Sequence, residues 1–327
     1  MVAQITVEEM LALDCVLVDT RSPAEFAHAH IPGAVSMPIF TNEERALVGL
    51  LYTREGREKA LDTGLELFLP RCHSFIENIS SFTKPVVVYC WRGGMRSRAV
   101  CSLFSDRDDV FQLVGGHKAY RTHVRSFFSS LSLPPCVVVY GYTGSGKTDL
   151  ICRHSYGVDL EGCAHHRGSR FGGLGLVPCS QKMFESLLFQ RLFELRDAPY
   201  LVVEGETSKI GTVCIPPSFF SLMKRGSAVL YSVQREERAY HIVATYPFVA
   251  CHDDIVLLTE GLKQSLGKVT VDQLLALLAE KDYYHYTLLL LELFYDPLYE
   301  RQITSCDFVL TLSVGDSFAE AIKGIFK

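Results

Sequence analysis

The chain has 327 residues, a formal net charge of −5 and a hydrophobic fraction of 48%. This length suffices for two domains with their own cores, and the mild negative charge means that any nucleic-acid partner needs local basic patches. No apolar run reaches the length of a membrane span, and the N terminus lacks the features of a signal peptide. Eleven cysteines without a CxxC pair are typical of reduced thiols. We therefore expect a cytoplasmic protein without a membrane partner.

Short apolar strands alternate with helices in the first part of the chain. The expected elements are a strand at 15–19, a helix opening at Ser22 with Glu25 in a capping box, two helices within 41–68, a helix at 72–81, and strands at 86–90 and 110–114. This alternation predicts an α/β domain with a parallel sheet.

The strand at 86–90 ends at Cys90, and a loop with two glycines and two arginines leads into a helix. This geometry points backbone N–H groups and the positive helix end at one position, which stabilises a thiolate. Arg92 and Arg96 add fixed positive charge. We therefore predict that Cys90 is a nucleophile with a lowered pKa; the alternative is an inert cysteine at the end of a buried strand.

Segments 18–26, 30–34 and 115–120, together with the loop after Cys90, resemble the rhodanese family. That resemblance covers about the first 125 residues and implies that Cys90 carries a persulfide, or its selenium analogue, in a backbone cradle. A cysteine phosphatase loop is the alternative, because five residues separate Cys90 from Arg96. Such loops usually have histidine before the cysteine, where this chain has Tyr89, and the sequence shows no clear acid for the leaving group.

Pro134 and Pro135 mark a linker, so we predict domains at 1–130 and 134–327. A strand at 136–140 then runs directly into the phosphate-binding P-loop pattern and an apolar helix start. The predicted phosphate-binding residues are Gly141, Gly144, Ser145, Gly146, Lys147 and Thr148. In this pattern backbone N–H groups surround phosphate oxygens, the lysine supplies charge, and the threonine can reach a metal ion. The second half is thus predicted as a P-loop NTPase-like α/β domain with a helical C-terminal part.

A second strand at 200–203 is followed by Glu204, an acid placed to hold Mg²⁺ through water. Segment 158–173 is rich in His, Arg, Ser and Gly, which favours a loop that contacts an anion or RNA near the phosphate site. No protein metal site is predicted, because the adjacent histidines near Cys163 seldom ligate one ion. The helical segment at 269–299 is expected to build core.

Arg235, Arg238 and His241 recur every third residue and share one helix face. Two interpretations stay open for this face. It is either a basic surface for phosphate or a solvated surface paired with Glu236 and Glu237.

The fusion of these two halves resembles the tRNA 2-selenouridine synthase family over nearly the whole chain. The segments that carry the resemblance are 42–49, 90–97, 159–169, 209–216 and 295–299. The chain departs from the family at Gly205 and Ser208, where an acid and an arginine are expected.

The resemblance implies a transferase that acts on the wobble uridine of tRNA anticodons. It implies that 2-thiouridine is S-geranylated from geranyl diphosphate and that selenium from selenophosphate then replaces the geranylthio group. Cys90 would handle selenium or sulfur, with Arg92 and Arg96 neutralising the departing phosphate. The P-loop would bind the isoprenoid diphosphate, with Mg²⁺ as an optional ion, and a selenophosphate-supplying enzyme is an expected partner. The residues expected to contact tRNA are Trp91, His166, Arg167 and Ser169.

Two other functions stay open. One is a rhodanese-type sulfurtransferase fused to an ATP-dependent kinase or NTPase, with no RNA involved. The other is a non-catalytic protein whose P-loop senses a nucleotide, since the motif does not distinguish a diphosphate ester from a nucleotide.

Overall fold

A computed structural model describes residues 2–325 of the chain. The chain folds into two compact units. The first extends to Ser130 and also includes Glu185–Leu187, and the second contains the remaining residues from Leu131 onward. Within the described residues, no helix combines the length and the apolar character needed to cross a membrane. All eleven cysteines are unpaired.

The first unit is built on a five-stranded sheet whose neighbouring strands are all parallel. Its strands are Ala3–Ile5 (β1), Val16–Asp19 (β2), Val35–Ser36 (β3), Val86–Tyr89 (β4) and Val110–Leu113 (β5). The order across the sheet is β1-β5-β4-β2-β3. Strand β4 lies in the middle and is buried along its whole length, as expected for a run of β-branched residues covered on both faces. Cys90 therefore follows the carboxyl end of the central strand.

Seven helices within the described residues accompany this sheet. They are Val7–Ala12 (α1), Pro23–His28 (α2), Asn42–Arg54 (α3), Arg57–Phe68 (α4), Cys72–Ser80 (α5), Met95–Ser102 (α6) and Gly116–Ser129 (α7). The predicted capping box of α2 is confirmed, because the Glu25 carboxylate accepts a hydrogen bond from the Ser22 N–H at 3.2 Å. The predicted helix pair within 41–68 is confirmed as α3 and α4. One 3₁₀ turn, Leu69–Arg71, joins α4 to α5.

The second unit contains another parallel five-stranded sheet. The strands of this unit are Cys136–Tyr140 (β6), Gly157–Val158 (β7), Leu201–Glu204 (β8), Lys209–Ile210 (β9), Val213–Cys214 (β10), Ser227–Ser232 (β11) and Leu310–Ser313 (β12). The main sheet has the order β12-β11-β6-β8-β7, and β9 pairs with β10 in an antiparallel hairpin. The sequence did not predict β12, a short strand at the sheet edge that contains only one buried residue.

The helices that follow Leu131 in the chain lie between and after these strands. They are Lys147–Arg153 (α8), Leu160–Ala164 (α9), Gln181–Glu194 (α10), Pro217–Lys224 (α11), Arg235–Thr245 (α12), His252–Glu260 (α13), Lys263–Leu266 (α14), Lys268–Ala279 (α15), Tyr283–Leu290 (α16), Asp296–Thr304 (α17) and Phe318–Ile325 (α18). A π-helical segment, Leu291–Tyr295, connects α16 to α17. Helix α9 lies inside segment 158–173, which was predicted as a loop. It begins where the Asp159 carboxylate accepts a hydrogen bond from the Gly162 N–H.

Apolar residues of α12 to α16 and the π-helical segment form one core cluster, in which Val271, Leu274 and Tyr286 are almost completely buried. The prediction that the helical C-terminal part builds core is therefore confirmed. The predicted fold class, two parallel-sheet α/β domains with a helical C-terminal part, is confirmed as well.

Candidate active site

The loop after β4 folds around the Cys90 sulfur. The Gly94 N–H donates to Sγ at 3.2 Å, and the Ser97 hydroxyl lies 3.3 Å from it. The start of α7 holds the loop from behind, because the His117 N–H donates to the Cys90 carbonyl at 2.9 Å and the Lys118 N–H donates to the next carbonyl at the same distance. The thiol is 3% exposed and lies at the wall of a cavity. One backbone N–H, that of Gly94, therefore contacts the sulfur in the loop where the sequence predicts a backbone cradle.

Two glycines allow this close approach of backbone segments. Gly116 has φ of +56°, and a Cβ on it would lie 2.2 Å from the Cys90 carbonyl oxygen. Gly93 has φ of +61°, and its Cβ would lie 2.5 Å from the carbonyl oxygen of Leu113. A side chain at either position would have to displace the backbone that forms the cradle.

The arginines of the loop differ in their surroundings. Arg96 Nη1 lies 2.8 Å from Oε2 of Glu25, which is also 3.8 Å from Nε of Arg45. Burial acts to raise the pKa of Glu25, but the hydrogen bond and charge of Arg96 outweigh it and hold that pKa below its ordinary value. Arg92 is exposed and lines the same cavity as Cys90. Glu25 therefore offsets part of the positive charge predicted at this position, a pairing that the sequence analysis missed.

Trp91 is 36% exposed and lines the cavity beside Cys90. Its indole also lies near the imidazole of His117, with ring centroids 5.6 Å apart. The residue is thus open to a ligand on one side and supported by the start of α7 on the other.

The P-loop of the second unit joins β6 to α8. Lys147 is the first residue of α8, and its Nζ donates to the carbonyls of Gly141 at 2.8 Å and Tyr142 at 3.3 Å. Burial lowers the pKa of this lysine. Gly144 and Gly146 both have positive φ, so the loop adopts a backbone conformation that favours glycine.

A cavity of about 170 Å³ lies against this loop and is lined by the residues from Thr143 to Asp149. The predicted residues Gly144, Ser145, Gly146, Lys147 and Thr148 therefore share one wall. The buried hydroxyl of Ser145 has no hydrogen-bond partner among the described residues. The loop thus presents an unused donor at the cavity.

Glu161 and Glu206 also line this cavity. Oε2 of Glu161 accepts a hydrogen bond from the Thr148 hydroxyl at 3.1 Å. Burial, assisted by the negative charge of Glu206, raises the pKa of Glu161 to about 7. Sequence reasoning did not assign either residue a role, although Glu161 lies in a segment that carried the family resemblance. Its position as the second residue of a short helix gave no signal that its side chain would reach Thr148.

Glu204, the acid predicted to hold Mg²⁺, is completely buried at the end of β8. Its Oε2 accepts hydrogen bonds from the N–H groups of Leu160 at 2.7 Å and Glu161 at 3.4 Å, so it holds the first turn of α9. Burial, followed by the charge of Glu161, raises its pKa. The carboxylate that binds the P-loop threonine is that of Glu161, and Glu204 positions the helix that carries it.

At position 205 the chain has glycine where the family pattern has an acidic residue, and this difference has a local structural reason. A Cβ on Gly205 would lie 2.5 Å from Cδ1 of Tyr140, the last residue of β6. The tyrosine ring therefore occupies the space that an acidic side chain at position 205 would need. Nothing in the structure explains the departure at Ser208.

The three candidate tRNA contacts of the second unit lie in different environments. Arg167 lines the P-loop cavity, donates to the Leu174 carbonyl at 3.0 Å, and lies 4.8 Å above the Tyr246 ring. Ser169 is buried, with its hydroxyl 3.2 Å from that of Tyr246. His166 is half-buried, and burial lowers its pKa. Of the three, Arg167 is the one whose side chain reaches the cavity.

Neither interpretation describes the two arginines of this face on α12, whereas its third member, His241, lines the P-loop cavity. Arg238 is buried and forms a two-point ion pair with Asp296, with both distances 2.9 Å, and Nε of Arg235 lies 2.9 Å from the same carboxylate. Arg238 also donates to the carbonyl of Thr143 in the P-loop at 3.2 Å. Arg238 therefore links Asp296 of α17 to the backbone of the P-loop.

Two family models match successive parts of this chain. Residues 134–316 match the tRNA 2-selenouridine synthase AAA domain, and residues 4–123 match the rhodanese-like domain. The tRNA 2-selenouridine synthase of Shewanella piezotolerans is 29% identical, covering 93% of both chains.

Two further relatives carry the same name. The Nitrosomonas eutropha protein is 36% identical over 73% of this chain and 66% of its own. The Hahella chejuensis protein is 32% identical over 88% of this chain and 85% of its own. The resemblance inferred from the sequence is confirmed, and the chain belongs to the tRNA 2-selenouridine synthase family.

Proposed function

We propose that this protein is a tRNA-modifying transferase that converts wobble 2-thiouridine to 2-selenouridine through an S-geranyl-2-thiouridine intermediate. Geranyl diphosphate and selenophosphate are the proposed co-substrates. The observation that supports this most directly is the presence of two anion-compatible sites in one chain: the Cys90 sulfur in a backbone N–H cradle, and a P-loop cavity with an unused buried donor. The names of the relatives supply the substrate class.

In the first half-reaction, the sulfur of 2-thiouridine attacks the first carbon of geranyl diphosphate. A C–S bond forms, the C–O bond to diphosphate breaks, and the base loses its N3 proton. Lys147, Ser145 and the loop N–H groups would bind the departing diphosphate. Mg²⁺, which typically binds one or two carboxylates together with substrate phosphates, would be held by Thr148 and Glu161.

In the second half-reaction, selenium from selenophosphate replaces the geranylthio group at C2 of the base. One water is consumed overall, and geranylthiol and inorganic phosphate leave. We assign this step to the Cys90 site, where Arg92 and Arg96 supply positive charge for the phosphate. The anticodon region of tRNA and a selenophosphate-supplying enzyme are the proposed partners, and the cytoplasm is the proposed location.

Mass analysis of nucleosides from tRNA tests this function. Unmodified 2-thiouridine tRNA is incubated with the protein and geranyl diphosphate, with or without selenophosphate. We expect S-geranyl-2-thiouridine without selenophosphate and 2-selenouridine with it. Unchanged nucleosides together with ATP turnover in the absence of tRNA would instead support the alternative, a sulfurtransferase fused to a kinase.

A further inference from the structure

A groove opens beside Cys90, between the loop after β4 and the hairpin of helices α3 and α4. Its volume is about 490 Å³, which lies within the roughly 300–1,000 Å³ typical of small-molecule sites. Apolar side chains form most of the wall contributed by the hairpin and by Phe40 just before it; those of the hairpin are Val48, Tyr52, Leu61, Leu65 and Phe68. The cradle sulfur therefore faces an apolar cavity large enough for a ligand.

Several of these apolar side chains are open to solvent. Tyr52 is 57% exposed, Leu65 is 43% exposed and Leu61 is 38% exposed, and Met95 on the opposite wall is 45% exposed. Large apolar side chains that converge on one groove, instead of being scattered singly, are typical of a binding site. The wall of this groove is thus available to an apolar ligand.

The charged residues of the groove are concentrated near the cradle. Arg45, Arg92 and Arg96 all line it. Glu25 pairs with Arg96 and lies near Arg45, so it offsets only one of these three positive charges. The groove therefore combines an apolar wall with a net positive end beside a thiol, which is complementary to a ligand with a hydrocarbon tail and an anionic neighbour.

We propose that this groove holds the hydrocarbon chain of an S-prenylated 2-thiouridine while the base lies against the Cys90 cradle. The inference rests on the proposed function and adds the place where the chain binds. The arginines then face the phosphates that flank the modified nucleotide, and the chain leaves the groove only when the thiol departs. Because the groove binds the hydrocarbon chain, the geranylated base is preferred over 2-thiouridine at the Cys90 cradle.

Binding of two anticodon stem-loops to the full-length protein tests this inference. One stem-loop carries S-geranyl-2-thiouridine and the other carries 2-thiouridine. Leu61→Asn and Leu65→Asn change the groove wall, and Leu50→Asn is the matched control, because Leu50 lies on α3, is 46% exposed and does not line the groove. We expect each groove variant to bind the geranylated stem-loop about tenfold more weakly, from the loss of apolar contact. Binding of the thiouridine stem-loop should stay unchanged.

The possible outcomes distinguish a failure of the groove assignment from a failure of the proposed function. If the wild-type protein modifies tRNA but all three variants bind the geranylated stem-loop equally well, the groove assignment is overturned and the proposed function stands. If the wild-type protein neither prefers the geranylated stem-loop nor modifies tRNA, the proposed function fails. A loss of self-association by light scattering in the groove variants, with unchanged RNA binding, would make the groove an interface between copies and would also overturn the assignment.

Discussion

The hydroxyl of Thr148 donates to Oε2 of Glu161 at 3.1 Å, so a half-buried carboxylate holds the last side chain of the P-loop. Glu206 approaches the same place, since a Cβ on Gly168 would lie within 2.9 Å of an oxygen from each carboxylate. Two carboxylates beside a phosphate cavity repel an anion that binds there without a cation. An incoming diphosphate therefore needs either a proton on these groups or a cation.

The raised pKa of Glu161 makes stability depend on pH. The unfolded chain releases this proton near the ordinary pKa of 4.5, whereas the folded chain keeps it up to about 7. Stability should therefore fall as pH rises through that window, by up to about 3 kcal/mol. In Glu161→Gln the free energy of unfolding should fall less steeply between pH 4 and 8. Urea unfolding at a series of pH values measures this slope. The exposed Glu58→Gln on α4 is the control, and an unchanged slope in Glu161→Gln would show that this carboxyl is already ionised in the folded protein.

Replacing Cys90 by serine should separate the two half-reactions. The serine hydroxyl keeps the cradle hydrogen bonds but is a much weaker nucleophile than a cysteine sulfur. We expect Cys90→Ser to lose 2-selenouridine formation and to retain geranylation of 2-thiouridine tRNA, measured by nucleoside mass analysis. If geranylation also disappears while the circular dichroism spectrum is unchanged, the assignment of the two steps to different sites is wrong.

Gly116→Ala should disrupt the cradle. The added methyl group would meet the Cys90 carbonyl at 2.2 Å in a backbone conformation that favours glycine, so we expect a loss of about 3 kcal/mol in unfolding free energy. Gly94→Ala is the control, since its Cβ meets nothing within 4 Å and its N–H still reaches the sulfur. Equal stabilities of the two variants in denaturant titrations would contradict the close approach of α7 to this loop.

Asp296→Ala should weaken the support of the P-loop. Arg238 would be left buried without its carboxylate partner, which typically costs about 3–5 kcal/mol. We also expect weaker binding of inorganic diphosphate, because Arg238 contacts the Thr143 carbonyl. Glu292→Ala is the control, since the Glu292 carboxylate is exposed and makes a longer contact with Arg235, at 3.5 Å. Thermal unfolding and calorimetric titration report the two effects, and a stable variant that binds diphosphate normally would refute the supporting role.

The local patterns of the chain were sufficient to predict most elements and both loops. The valine runs that form β4 and β6 predict buried strands because β-branched residues pack well in a sheet covered on both faces. The Cys90 loop and the P-loop were recognisable because their glycines, basic residues and functional side chains are contiguous in sequence. The capping box at Ser22 and Glu25 followed from spacing in the same way.

Only the tertiary structure decided which distant charges meet. Glu25 and Arg96 lie 71 positions apart, and Arg238 and Asp296 lie 58 apart, so no periodic pattern connects them. Strand β12 was missed because its short, mostly exposed sequence is stabilised by pairing with β11. The groove beside Cys90 arises from the packing of α3 and α4 against a loop from another part of the chain. Such features depend on the folded positions of separate segments, whereas backbone geometry within a segment depends on its own residues.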